Sequence, residues 1–140
     1  MGIETLALRM EKHVANAEVV ANYLHNHAKV SWVSYAGLEE SKYFHLAKKY
    51  LPKGAGSVFT FGIKGGYGAG VEFVEKCQLL SHLANIGDTR SLVLHPASTT
   101  HRQLTETQRI SAGAGDDVIR LSIGLETVED IIADLEQALR

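Results

Sequence analysis

The pattern of apolar and polar residues predicts a long helix at the start of the chain. From Ile3 to about His27, apolar residues recur at steps of three and four: Ile3, Leu6, Met10, Val14, Ala17, Val20, Ala21 and Leu24. This spacing places them on one face of an α-helix. A helix of this length at the edge of a small domain often connects it to another part of a protein. We therefore interpret residues 1–28 as a linking helix and residues 29–140 as an α/β domain.

Beyond this helix, strand patterns alternate with helix patterns. Branched, aromatic and alternating residues predict strands at 30–35, 57–63, 91–94 and 118–123. Helical spacing predicts helices at 39–51, 69–83, 105–113 and 127–140. The third of these helices and the last one begin with capping-box spacing, at Thr105 to Gln108 and at Thr127 to Asp130. In the helix at 69–83 we expect Phe73, Cys77 and Leu80 to face inward.

The order of these elements predicts the fold class. One helix is followed by four strand–helix units, which indicates a two-layer α/β (α+β) domain: a sheet of about four strands with helices packed on one face. The length of 140 residues fits a single domain with a real core. The direction of each strand cannot be read from this pattern.

Composition and charge exclude several classes of function. The formal net charge is −2, so there is no basic excess to support binding of nucleic acid or of an anionic membrane. No apolar run approaches the roughly 18–20 residues that a membrane span needs. The single cysteine, Cys77, cannot form an internal disulfide, and we interpret it as a small core residue. We expect a cytoplasmic protein with no nucleic-acid or membrane partner.

One charged residue interrupts an otherwise apolar strand. In the segment 118–123, Ile119, Leu121 and Ile123 share one face, and Arg120 lies on the other. An unpaired buried guanidinium costs several kcal/mol, and its planar fork is best matched by a carboxylate or a phosphate. If the strand is internal, Arg120 needs an anion. The alternatives are an ion pair with an internal Asp or Glu, or an edge strand with Arg120 in water.

Other motifs point to structure and not to chemistry. The glycine-rich segment 62–70 has neither Walker A spacing nor the GxGxxG order, so we interpret it as a flexible strand-to-helix connection. The histidines lack the spacing of a metal site, and no metal is expected. Asn85 has the position of a turn or helix-capping residue. The polar residues 98–101 lie in a loop, where functional residues are common.

Several segments nevertheless resemble one known family. The sequences KVSWVSYAGL, AKKYLPKGAGSVFTFGIKGG, SHLANIGD, SLVLHPASTTHRQLTE and DVIRLSIGLETVEDIIADLEQAL resemble the carboxy-terminal part of the pyridoxal-phosphate enzymes of cysteine and methionine metabolism. The resemblance covers essentially the whole chain and is most specific at HPASTTH and IRLSIGLE. Within the family, the segments LANIGD and AKKYLPKGAG are most similar to the O-acetylhomoserine sulfhydrylase branch. Cystathionine γ-synthase, the cystathionine lyases and methionine γ-lyase are near alternatives.

This resemblance implies a role for three residues. It implies that the chain is the small domain of a fold-type I enzyme, in which Arg120 holds the α-carboxylate of an amino-acid substrate. Asn85 matches a polar position that contacts substrate and is often Ser in the lyases. Thr100 lies in the HPASTTH loop close to the same pocket. No catalytic residue is assigned.

The resemblance also implies what this chain does not contain. In the family, pyridoxal phosphate is bound as a Schiff base by a lysine of a larger domain that precedes the present segment. No lysine here lies in a matching motif, so no cofactor-binding residue is assigned. We expect a C-terminal fragment, inactive alone, whose partners are that larger domain, further copies in a homotetramer, an O-acetylhomoserine-type substrate and sulfide. A non-catalytic binding or assembly module is the alternative from another class.

Overall fold

The computed structural model describes residues 2–140, and it contains each predicted helix and strand with shifted ends. The helices are α1 (Leu6–His25), α2 (Phe44–Tyr50), α3 (Gly66–Lys76), α4 (Glu106–Ser111) and α5 (Val128–Leu139). The strands are β1 (Val30–Ser34), β2 (Val58–Ile63), β3 (Ser81–His82), β4 (Leu92–Leu94) and β5 (Val118–Ser122). A single 3₁₀ turn spans Pro96–Ser98.

The sheet has five strands in the order β1-β2-β5-β4-β3. The pairs β1–β2, β2–β5 and β5–β4 are antiparallel, and β3 pairs with β4 in parallel. The prediction of about four strands was therefore one short, because β3 has only two residues and no readable alternation. β5 lies at the centre of the sheet, which rules out the edge-strand alternative for Arg120.

The core lies between the sheet and the helices α1, α3 and α5. Phe61, Phe73, Ile119, Leu121 and Ile123 are almost completely buried there, and the T-shaped pair Phe61–Phe73 joins the sheet to α3. Because side chains alternate along a strand, Arg120 lies on the sheet face opposite to Ile119 and Leu121. The two-layer α/β class is thus confirmed.

The first helix buries one face from His13 onward, whereas its first turn and the residues before it are exposed. Ala17, Val20 and Leu24 are inaccessible to solvent, whereas Ile3 and Leu8 are 81% and 70% exposed. Within residues 2–140, no helix combines the length and the apolar character that crossing a membrane requires.

The helix ends agree with the prediction at α4 and differ from it at α5 and α3. At α4 the capping box is formed, since the Thr105 side chain accepts from the Gln108 N–H and the Gln108 side chain accepts from the Thr105 N–H. At α5 Thr127 occupies the capping position without a side-chain cap bond. Helix α3 ends at Lys76, seven residues before the predicted end at Leu83, because the backbone becomes extended at Cys77.

Candidate functional site

Arg120 occupies the middle of the central strand. It lies opposite Thr60 of β2 and Leu94 of β4, so its neighbours on both sides are fixed by the sheet register. Its side chain is half-buried. Its Nη2 donates a hydrogen bond to the backbone carbonyl of Asn85 at 3.4 Å. None of the ion pairs formed among residues 2–140 includes Arg120. A guanidinium on an interior strand without an internal carboxylate can accept an external anion.

Two other arginines of the chain form ion pairs with internal aspartates. Arg109 forms an ion pair with Asp116 at 2.9 Å and donates to the carbonyl of Leu104. Arg90 forms an ion pair with Asp88 at 3.2 Å, and its hydrogen bond to that carboxylate lowers the pKa of Asp88. Arg109 and Arg90 thus form the kind of internal ion pair that was an alternative for Arg120. Arg120 forms no such pair within residues 2–140.

Asn85 lies next to Arg120 on the segment between β3 and β4, which we call the β3–β4 loop (residues 83–91). The contact with Arg120 is made by the Asn85 carbonyl, while the Asn85 side-chain oxygen accepts the N–H of Ile86 at 2.9 Å. The residue is exposed. The structure thus brings Asn85 and Arg120 together through the backbone of Asn85.

Thr100 lies on the loop that follows β4. This loop leaves the sheet directly after Leu94, the neighbour of Arg120. The Thr100 hydroxyl forms a hydrogen bond with the Nδ1 atom of His101 at 2.8 Å. In the part of the chain that the structure describes, no hydrogen bond joins Thr100 to Arg120 or Asn85. The structure therefore places Thr100 on the loop that follows the neighbouring strand, without a hydrogen bond to Arg120 among residues 2–140.

The same loop is held by a buried histidine that sequence reasoning missed. His95 is fully buried, and its Nε2 atom lies 2.9 Å from the carbonyl oxygen of Asp116. A carbonyl can only accept, so Nε2 carries a proton. The Nδ1 atom lies 2.9 Å from the Ser98 hydroxyl, which donates to the His95 carbonyl at 3.3 Å. The Thr99 hydroxyl donates to the His95 carbonyl at 2.8 Å. The signal in the sequence was a His-Pro pair directly after a strand.

The lysines among the described residues lie at the surface. Every lysine of the chain is exposed, whereas a lysine that forms a Schiff base is usually desolvated or placed beside another cation. Lys64, in the glycine-rich connection, donates to the carbonyl of Ala28 at 2.7 Å.

Cys77 is also unsuited to be a nucleophile. Burial, and secondarily the charge of Asp134, raises the pKa of the Cys77 thiol from 9.0 to about 12. Its Sγ donates to the carbonyl of Phe73 at 3.4 Å. A thiol of this kind stays protonated at neutral pH, which agrees with a packing role.

Fold and geometry together define a two-layer α/β domain whose central strand carries an arginine that forms no ion pair within residues 2–140. All of residues 1–140 match the family described as Cys/Met metabolism PLP-dependent enzyme. The chain belongs to this family. Its members depend on pyridoxal phosphate.

Similar proteins point to one branch of the family. The chain is 54% identical to homocysteine synthase of Schizosaccharomyces pombe, over 99% of its own length and 32% of that protein. It is 48% identical to O-acetyl-L-homoserine sulfhydrylase 1 of Thermus thermophilus, over 99% of its own length and 33% of that protein. The chain thus spans about a third of the length of these curated relatives.

A solved structure shares the fold. A protein from Campylobacter jejuni subsp. jejuni, described as an O-acetylhomoserine (thiol)-lyase, matches with a TM-score of 0.92 and 47% identity. The match covers 99% of this chain and 33% of that one. The Campylobacter protein carries N'-pyridoxyl-lysine-5'-monophosphate, a lysine adduct of the cofactor.

Proposed function

We propose that this chain is the C-terminal, substrate-binding domain of a pyridoxal-phosphate-dependent O-acetylhomoserine sulfhydrylase. In the whole protein, sulfide replaces the acetate on the γ-carbon of O-acetylhomoserine and gives homocysteine. The similarity to homocysteine synthase and to O-acetyl-L-homoserine sulfhydrylase 1 supports this choice within the family. When bound, the cofactor supplies an electron sink that stabilises carbanions.

In this proposal Arg120 binds the α-carboxylate of the amino-acid substrate. The observation that carries it is an arginine on the central strand that has no acidic partner among residues 2–140. Its planar fork can donate two parallel hydrogen bonds to a carboxylate. The Asn85 carbonyl holds one end of the fork. Asn85 and Thr100 supply polar groups beside the carboxylate. Orienting the substrate in this way lowers the barrier mainly through geometry.

We assign the remaining parts of the whole protein to the same proposal. Residues 1–28 link residues 29–140 to the larger cofactor-binding domain, which contributes the Schiff-base lysine. The exposed apolar side chains of Ile3 and Leu8 support this, because such surface is normally covered in a complete protein. The whole protein is a cytoplasmic homotetramer. A single cysteine agrees with a reducing compartment.

The proposal predicts the kinetics of an arginine variant in the whole enzyme. Arg120→Ala should raise the KM for O-acetylhomoserine strongly and lower kcat/KM by about 2–4 kcal/mol, the usual cost of breaking a charged hydrogen-bonded pair. Arg120→Lys keeps the charge but loses the fork, so its loss should be smaller. The measurement is steady-state formation of homocysteine at varied substrate concentrations.

The matched control is Arg140→Ala, which removes an exposed guanidinium that pairs only with Glu136. It should leave kcat/KM within about twofold. An Arg120→Ala enzyme with unchanged kcat/KM would contradict the site. A normal arginine effect with cystathionine or methionine as the preferred substrate would keep the site and move the protein to another branch of the family.

A further inference from the structure

A carboxylate beyond the end of the central strand holds the β3–β4 loop. The Glu126 side chain accepts the N–H of Ser91 at 2.6 Å through Oε1 and the Ser91 hydroxyl at 2.8 Å through Oε2. The same hydroxyl accepts the N–H of Gly124 at 2.9 Å. Ser91 is completely buried. One carboxylate therefore fixes the last residue of the loop at two points.

The backbone reinforces this attachment. Leu125 donates its N–H to the Thr89 carbonyl at 2.8 Å, directly beside the carboxylate contacts. A Cβ atom on Gly124 would lie 2.4 Å from the Thr89 oxygen, so the loop approaches the strand more closely than any side chain permits. From the other side, the Asn16 amide donates to the carbonyls of Gly124 and Glu126 at 3.0 and 2.9 Å. The strand end is thus fixed from α1 and in turn fixes the loop.

The loop held in this way carries the residue that contacts Arg120. Asn85 lies six residues before Ser91, and its carbonyl is the acceptor for the Arg120 guanidinium. Because Asn85 itself is exposed, its position depends on how the loop is attached at its ends. Loss of the Glu126 contacts would loosen the C-terminal end, where both of the carboxylate's bonds are made, although the Leu125 N–H would still bond to the Thr89 carbonyl.

We propose that Glu126 is a positioning residue for the substrate carboxylate, which it serves by holding the β3–β4 loop so that Asn85 orients Arg120. This inference rests on the proposed function, since it assumes that Arg120 binds the substrate. Glu126 touches neither Arg120 nor the incoming carboxylate. Its effect is confined to the amino-acid substrate, because sulfide has no carboxylate to orient.

The test is steady-state kinetics of the whole enzyme with Glu126→Gln. The glutamine oxygen can still accept the Ser91 N–H, but its amide group cannot accept the Ser91 hydroxyl. We expect the KM for O-acetylhomoserine to rise about fivefold to tenfold, the range of coupling between groups in one network. The kcat should stay within about twofold, and the KM for sulfide should not change. A loss of folded enzyme would lower the apparent kcat and leave KM alone.

The matched control is Glu129→Gln, the same change on an exposed residue three positions further on. It should leave both constants unchanged. Combined with Arg120→Ala, Glu126→Gln should add nothing further to KM, because its effect passes through the arginine. A full additional effect in the double variant would overturn the proposal, as would an unchanged KM in the single one.

Hydrogen exchange of the whole enzyme separates this proposal from the proposed function. In Glu126→Gln, the amides of residues 85–91 should exchange faster than in the parent enzyme. Faster exchange with an unchanged KM would refute the positioning role alone. If Arg120→Ala itself leaves the kinetics unchanged, the proposed function fails, and the exchange result still reports whether Glu126 holds the loop.

Discussion

A buried carboxylate on the last helix offers the sharpest test of how this domain is held together. Asp134 of α5 is only 6% exposed. Its two oxygens accept the N–H groups of Gln78, Leu79 and Leu80 at 2.8, 2.9 and 3.0 Å. These three residues connect α3 to β3. We predict that Asp134→Asn destabilises the fold mainly by loosening this connection.

The magnitude follows from the burial of each donor. A hydrogen bond to a charged group contributes about 1.5–3 kcal/mol, and a buried donor left unpaired costs a similar amount. Leu80 is buried, so water cannot replace the charged acceptor at its N–H, whereas Gln78 and Leu79 are exposed and water can replace the carboxylate. Asparagine keeps one acceptor oxygen. The free energy of unfolding should therefore fall by about 2–3 kcal/mol, which corresponds to a Tm about 8 °C lower for a domain of this size.

The assay is urea and thermal unfolding of the chain followed by circular dichroism. Asp130→Asn is the control, since Asp130 is exposed one helical turn earlier and its charge interacts only with the N-terminus of α5, an effect of about 0.3–1 kcal/mol. Hydrogen exchange should be faster at residues 78–80 in Asp134→Asn. A loss below about 1 kcal/mol, or unchanged protection of these amides, would refute the reasoning.

Further predictions concern packing at three residues, Cys77, Gly124 and Gly68. Because burial raises the pKa of Cys77 to about 12, its thiol should react slowly with a disulfide reagent at pH 8 and quickly once urea unfolds the chain. Between pH 9 and pH 12 the folded chain keeps a proton that the unfolded chain releases, so this group lowers the stability as pH rises. Gly124→Ala should lower the free energy of unfolding by about 2 kcal/mol or more, because its Cβ would lie 2.4 Å from the Thr89 oxygen. Gly68→Ala, a helical position with no atom within 4 Å of the added Cβ, should raise it by about 0.5–1 kcal/mol in the same urea assay.

The parts of the fold that sequence could predict are those with enough residues to show a period. Helices α1 and α5 and the strands β2 and β5 follow their apolar spacing closely. Strand β3 has two residues, which is too short for any alternation. In the predicted helix at 39–51, Tyr43, Leu46, Ala47 and Tyr50 have helical spacing, but only Ala47 of these is buried. The spacing in this segment therefore carries little information on packing.

The end of α3 could not be predicted, because a distant residue decides it. Phe73, Cys77 and Leu80 have helical spacing, and Phe73 and Leu80 are indeed buried. The helix nevertheless stops at Lys76, and Asp134 accepts the N–H groups that follow. That carboxylate is 54 residues beyond Leu80, and local spacing contains no trace of it.

The candidate site also has features that the sequence could predict and features that it could not. The face of Arg120 followed from strand alternation, and its need for an anion followed from its charge. Its contact with Asn85 is made by a backbone carbonyl, which has no signature in a sequence. Thr100 was placed near the site by resemblance, and its role stays a prediction. The roles of His95 and Glu126 depend on contacts across the sheet and could be found only in three dimensions.

The absence of an acidic neighbour for Arg120 within residues 2–140 has an energetic consequence for binding. Arg109, which is paired with Asp116, would have to give up a formed ion pair before it could hold a ligand. Arg120 has only a 3.4 Å bond to a neutral carbonyl, so its partial desolvation on folding is not compensated by an internal charge. An arriving carboxylate gains the attraction that an internal acid would otherwise supply. In the proposed site, the guanidinium is therefore available to the substrate carboxylate without first breaking an internal ion pair.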